Sequence, residues 1–179
     1  MVINKFDYSL KHGQEIQKTG GKDSLEKFVP NFRSSTYVGL TNLVIFDANG
    51  SIEERRNELL EFKQKLGIEF ETFLFPSNKD NGDLETLLER VINLNNQGLF
   101  DCFDNFNRCL VDSIPGRQLT PLDRKTKIYN YASLLNPENP DYAKEKDRDY
   151  LNKEHWNLDS NELEPLYDFL RPYFIQDGN

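Results

Sequence analysis

Four side chains in the middle of the chain have the types and spacing of an oxygen-donor site: Asp47, Asn49, Asp83 and Glu85. Asp47 closes the apolar run Leu43-Val44-Ile45-Phe46, while Asp83 and Glu85 follow a second apolar segment that ends at Phe75-Pro76. Ligand and metal sites in open α/β sheets form outside the carboxyl ends of the parallel strands. A hard divalent cation such as Mg²⁺ takes oxygen ligands, commonly one or two carboxylates completed by water and substrate phosphate, so this set suits phosphoryl chemistry. Asn49 adds a neutral oxygen to it. A structural reading stands beside the chemical one. Asp47 can simply end a strand, and acids in the first turn of a helix are favoured by its dipole.

Other groups have weaker patterns. His12 and His155 are the only histidines, and they form neither an HExxH motif nor a triad spacing. Gly20-Gly21 lacks the spacing of a dinucleotide or P-loop turn and reads as a turn. Arg124, Lys125 and Lys127 open a helix where a phosphate could be met, although basic residues beside Asp123 also describe a solvated face. Cys102 and Cys109 lie seven apart in a helical pattern without zinc-site partners, and the sequence reads them as buried thiols.

The segment from Asn42 to Ile92 positions the four oxygen donors. Leu43 to Phe46 is a short continuous apolar run, the pattern of a parallel strand buried on both faces. Ser51 with Glu54 makes a capping box, Ile52, Leu59, Leu60 and Leu66 recur at helical spacing, and Gly67 stops the helix. Ile68 to Phe75 returns as a strand, so the unit is a βαβ crossover with a parallel pair. Leu84, Leu87, Leu88 and Val91 begin a further helix. Upstream, Glu15 to Thr19 reads as a short strand, and Leu25, Phe28 and Val29 as a brief helix. Downstream, Leu99, Phe103, Phe106 and Leu110 share a helical face, Thr120-Pro121 looks like an N-cap, and a last helix is expected near Asp159 with Glu162 as its box partner.

The expected fold is α/β, a mainly parallel central sheet flanked by helices, in one domain over 1–179. Its sheet-bearing core is placed at 14–95 and a helical extension at 96–179. With 179 residues, one core is the default, and no repeat or Gly/Ser linker marks a boundary. Hydrophobic residues make up 37% and include 13 Phe and 8 Tyr, enough to build a core and to exclude global disorder. No apolar run approaches the ~20 residues of a membrane helix and the start lacks a secretory pattern, so a cytoplasmic protein without a membrane partner is expected. The net charge of -8 argues against a broad surface for coating nucleic acid. Residues 36–122 carry eight Lys/Arg against fourteen Asp/Glu, so the acid is concentrated around the candidate site.

Leu43-Val44-Ile45-Phe46-Asp47-Ala48-Asn49 resembles the Toprim strand ending in Asp-x-Asp, found in topoisomerases, primases and overcoming-lysogenization-defect nucleases. The helix with Arg55 and Arg56, the strand ending in Phe75-Pro76, and Asn81-Gly82-Asp83-Leu84-Glu85-Thr86-Leu87-Leu88 are similar to a narrower group of bacterial Toprim-like proteins. The likeness continues through Cys102, Phe106 and Cys109-Leu110, Lys125 to Leu135, and His155-Trp156-Asn157-Leu158 into Leu166 to Leu170. It covers residues 14–174, through short motifs.

The resemblance implies Mg²⁺ on Asp47, Asn49, Asp83 and Glu85, and Lys125 as a phosphate partner. It also implies nucleic acid or a partner protein as the binding partner. If the chain is active, the implied chemistry is that of a metal-dependent nuclease or phosphotransfer enzyme. Two departures bear on catalysis. Asn49 replaces the second acid of Asp-x-Asp, which weakens a metal site. The Toprim strand that bears a general acid/base Glu has no counterpart before Glu15, as though the chain started one element late; Glu15 is the remaining candidate for that role. The expected function is therefore a degenerate Toprim-like protein with a residual acidic divalent-metal site and a role in nucleic-acid metabolism. The alternatives are an Mg²⁺-dependent nuclease and a non-catalytic interaction module.

Overall fold

The computed structural model describes residues 8–10, 22–113 and 119–176. In chain order its elements are β1 (Tyr8–Leu10), α1 (Val29–Tyr37), β2 (Leu43–Asp47), α2 (Ile52–Leu66), β3 (Glu71–Phe75), α3 (Leu84–Arg90), α4 (Gln97–Ser113), α5 (Arg124–Leu134), α6 (Glu164–Leu170) and β4 (Phe174–Gln176), with short 3₁₀ turns between some of them. They divide into two compact units, one of Met1–Leu84 with Leu163–Asn179 and one of Glu85–Glu162.

The first unit contains the parallel pair. β2 and β3 run in register from Leu43 opposite Glu71 to Asp47 opposite Phe75. Between them, α2 starts where the Ser51 hydroxyl accepts from the Glu54 amide at 3.2 Å and stops at Gly67, whose φ of 58° is left-handed. Both signals were written in the sequence. β3 is shorter than the apolar run before Pro76. Ile68 and Phe70 are buried in the core ahead of the strand, and the ladder opens only where the Glu71 amide donates to Asn42 O at 2.8 Å. Val44, Ala48, Ile52, Leu59 and Leu74 join Ile68, Phe70, Leu25 and Phe32 in one apolar core. Phe32 packs on Phe70 with ring centroids 5.5 Å apart. The Asn42 amide clamps this region by donating to both Phe32 O and Glu69 O at 3.0 Å. β1 pairs antiparallel with β4, and Phe169 of α6 packs on Phe73 at 5.5 Å. The expected α/β class is therefore present as a short parallel pair flanked by helices. The expected strand from Glu15 to Thr19 and the Gly20-Gly21 turn lie outside the described residues.

The second unit is helical and aromatic at its centre. Phe100 of α4, Tyr131 of α5 and Trp156 are fully buried and touch in series, with centroid separations of 5.3 and 5.4 Å. Ile92 bridges Trp156, and Asn157 N donates to Val91 O at 2.7 Å, which ties the segment after α3 to residues 155–157. Three sequence expectations change here. α5 begins at Arg124 rather than after Thr120-Pro121, because Asp123 caps it by accepting from Thr126 N at 2.7 Å. The last helix starts at Glu164 after a 3₁₀ turn, Asn161–Leu163, rather than near Asp159. Cys102 and Cys109 are exposed, not buried. Phe100 faces the core, and Asn107 pairs with Leu122 at both N and O, so the opposite side of α4, which carries the cysteines, faces outward.

Candidate functional site

At the carboxyl end of β2 the chain folds back on itself through a ladder of polar contacts. Ala48 N donates to Phe75 O at 3.1 Å, extending the parallel pairing by one step. Asn49 then takes a left-handed φ of 54° and forms an antiparallel bridge with Gly82, its amide donating to Gly82 O at 2.5 Å. The Ile52 amide, an open donor at the start of α2, is met by Asn81 Oδ1 at 2.8 Å. The loop is also shaped from within, since Asn78 Oδ1 accepts from Leu74 N and the Ser77 hydroxyl accepts from the amides of Lys79 and Asp80. Arg56 reaches from α2 to Asn78 O at 3.0 Å. Residues 77–83 are thereby held over the strand end.

Asp47 has a defined task in this arrangement. Its Oδ1 accepts from Leu84 N at 2.9 Å, which satisfies an amide at the start of α3. The carboxylate thus sits one residue from Asp83, and Asn49 lies against Gly82 on the other side. The structure therefore gathers the backbone of three of the four sequence candidates, Asp47, Asn49 and Asp83, at one end of the parallel pair. Mg²⁺ commonly uses one or two protein carboxylates with water, and this donor set is of that kind. Among the described residues, no group of three or more His, Cys, Asp or Glu side chains is placed to hold a metal ion.

The remaining candidates belong to the second unit or fall outside the described residues. Glu85, in the first turn of α3, is buried with 9% exposure. Its charge reaches Tyr150, whose hydroxyl pKa is raised first by burial, with Glu85 a lesser contributor. Lys125 is exposed in the first turn of α5, beside the capping Asp123. Asp123 is held below the ordinary carboxylate pKa, chiefly by its hydrogen bonds from Thr126. Glu15 and His12 lie outside the described residues.

His155 is a packed residue of the second unit. It is buried, its ring is edge-on to Tyr142, and Nδ1 lies 2.9 Å from the Tyr142 hydroxyl. That hydroxyl donates to Asp149 O at 2.9 Å, so Nδ1 is the donor between the two rings. Burial lowers the imidazole pKa from 6.5, which keeps the ring neutral. The same segment buries Arg148, whose guanidinium lies 5.6 Å above the Tyr150 ring and donates to Ala143 O at 2.7 Å.

Sequence reasoning overlooked Asn78 and Asn81, whose side chains shape the loop over the strand end. The available signal was the run Ser77-Asn78-Lys79-Asp80-Asn81-Gly82, because Asn and Ser side chains favour turns by bonding nearby amides.

A family model for DUF3226, described as a protein of unknown function, matches residues 10–175. The chain belongs to the DUF3226 family. The DUF3226 match includes both units' described elements from α1 to α6 and every candidate residue from Glu15 to Lys125. No curated protein and no solved structure matches the chain.

Proposed function

We propose that this DUF3226 chain is a Toprim-like protein that keeps a residual divalent-cation site at the carboxyl end of β2 and serves nucleic-acid metabolism with little catalysis of its own. The observation that carries this reading is the folded-back loop, which brings Asp83 to within one residue of the amide bonded by Asp47. Packing alone gives a weak reason for a second acid, Asp83, to stand next in the chain to the amide that Asp47 bonds, whereas a cation gives a direct one. Asn49, neutral where an acid is expected, lowers the affinity and with it any nuclease activity.

A second reading, an interaction module without a metal, is favoured by one contact. The Asp47 carboxylate already satisfies the Leu84 amide, a structural role that needs no cation. Calorimetric titration with Mn²⁺ and Mg²⁺ separates the two. The proposal expects one weak site, on the order of millimolar, that is lost in Asp83→Asn while the fold is kept. The module reading expects no heat beyond dilution at any accessible concentration of metal.

A further inference from the structure

We propose that Asn49 is a modification site, where the chain converts its own Asn49-Gly50 pair to an aspartyl residue by intramolecular deamidation and so gains a negative charge just past the end of β2. The sequence holds two Asn-Gly pairs, Asn49-Gly50 and Asn81-Gly82, and the fold sets them against each other through the Asn49 amide, which donates to Gly82 O at 2.5 Å. Their side chains are held differently. Asn81 Oδ1 accepts from the Ile52 amide at 2.8 Å, which fixes that side chain on the start of α2. Asn49 and Gly50 are both exposed, and among the described residues neither the Asn49 side chain nor the Gly50 amide has a hydrogen-bond partner. No heavy atom lies within 4 Å of where a Cβ on Gly50 would stand, so the approach to Asn49 from that side is open.

Deamidation needs a backbone nitrogen free to react, a side-chain carbonyl free to turn towards it, and no Cβ on the following residue to obstruct the two, a condition that glycine meets. Gly50 N, after losing its proton to hydroxide, attacks Asn49 Cγ. The new bond closes a succinimide ring, the bond between Cγ and Nδ2 breaks, and Nδ2 takes a proton from water and leaves as ammonia. A water molecule then opens the ring. Attack at Cγ breaks its bond to Gly50 N and leaves an aspartyl residue, whereas attack at the Asn49 backbone carbonyl breaks that carbon's bond to Gly50 N and leaves an isoaspartyl link. The balance is one water consumed and one ammonia released, with nothing oxidised or reduced. Either product replaces a neutral amide by a carboxylate. Asn49 holds a left-handed φ of 54°, which aspartate tolerates as asparagine does, so the aspartyl form fits the fold. Its effect on a metal rests on the cation site proposed above: a carboxylate two residues after Asp47 raises the charge of the donor set and tightens its hold on a divalent ion.

The test incubates the full chain, native and in urea, at neutral and mildly alkaline pH, and follows each Asn-Gly pair by peptide mass mapping and the added charge by anion exchange. In the native chain, position 49 should convert at least about fivefold faster than position 81, the factor that one hydrogen bond is worth. In urea, which frees Asn81 from the Ile52 amide, the two should convert at similar rates. The native rate at position 49 should rise with pH, because hydroxide removes the Gly50 proton. Gly50→Ala should suppress conversion at position 49 alone; the fold admits it, since Gly50 has no left-handed φ and its surroundings are open. Position 49 left intact in the native chain while it reacts in urea, equal native rates at the two positions, or undiminished conversion in Gly50→Ala overturns the proposal. Calorimetry with Mn²⁺ on the wild type and on Asn49→Asp tests the cation separately, with several-fold tighter binding expected in the variant. Conversion at position 49 with no Mn²⁺ heat from either chain upholds the modification site and overturns only the cation reading.

Discussion

Asp47 combines two roles that substitution can separate. Its Oδ1 satisfies the Leu84 amide, and its charge is what a cation would use. Asp47→Asn keeps an acceptor oxygen and removes the charge, so it should cost well under 1 kcal/mol while abolishing any Mn²⁺ binding; Asp47→Ala should lose both, with a further cost of about 1 to 2 kcal/mol for the orphaned amide. Urea titration beside calorimetry reads the two effects independently. His155 gives a prediction in pH. Burial lowers its folded pKa below the unfolded value of 6.5, so the unfolded state binds the proton first. Stability is therefore complete above about pH 7 and falls as pH drops through 6.5 towards the folded pKa. Glu154 and Asp149 oppose the shift by favouring the charged ring, but burial outweighs them. The urea midpoint of the wild type should fall between pH 7 and 5.5, and His155→Gln should flatten that slope, a result that ordinary carboxylate titration near pH 4 cannot imitate.

At the level of elements, the sequence was most informative where a single residue type has one physical task. Ser51 and Gly67 bound α2 because a hydroxyl can accept from the third amide of a helix and glycine tolerates a left-handed φ. Gly67 has open space around the position of a Cβ, so Gly67→Ala isolates the backbone term and should cost about 1 kcal/mol, with Gly67→Asn costing less and Gly67→Val more. Thermal unfolding of the three variants ranks them. A cost that followed side-chain size without sparing Asn would place the effect in packing. Elsewhere the local signal was ambiguous. Thr120-Pro121 and Asp123 are both good starts for a helix, and the Asp123 hydrogen bond to Thr126 decided between them. Ile68 to Phe75 is one apolar run, yet only its second half pairs, since burial in the core and membership of a strand use the same residues. The helical period of α4 was correct, but its rotation was not legible. Cys102 and Phe106 share a stripe with residues that pack, and only tertiary contacts through Phe100 and Asn107 show which edge turns outward. In the candidate site, Asp47 and Asp83 were legible as residues at strand ends. The loop that brings their backbones together depends on Asn49 adopting a positive φ and on side-chain bonds from Asn78 and Asn81, which apolar periodicity does not report.

The whole chain carries 22 Lys and Arg against 30 Asp and Glu, and that balance sets what it can grip. Holding a nucleic acid at physiological salt takes several phosphate contacts from basic side chains, each lost as salt rises. Several of the basic groups here are already engaged: Lys127 with Asp104, Arg124 with Glu89, Arg90 with Glu162, and Arg171 with Glu164 and Asp168. A phosphate arriving at the strand end would also meet the Asp47 carboxylate, which repels it unless a cation bridges the two. The protein is therefore expected to show little or no Mg²⁺-dependent cleavage of supercoiled DNA, single strands or RNA. The neutral amide of Asn49 would also hold a cation less tightly than a carboxylate would. A nicking assay with Mg²⁺ and with Mn²⁺, at low and at physiological salt, measures this directly. Turnover that persists in the wild type but disappears in both Asp47→Asn and Glu85→Gln, with unfolding curves unchanged, would make the chain a nuclease. The acid/base role would then fall to a group such as Glu15, and Asp47 and Glu85 would be ligands in an active centre.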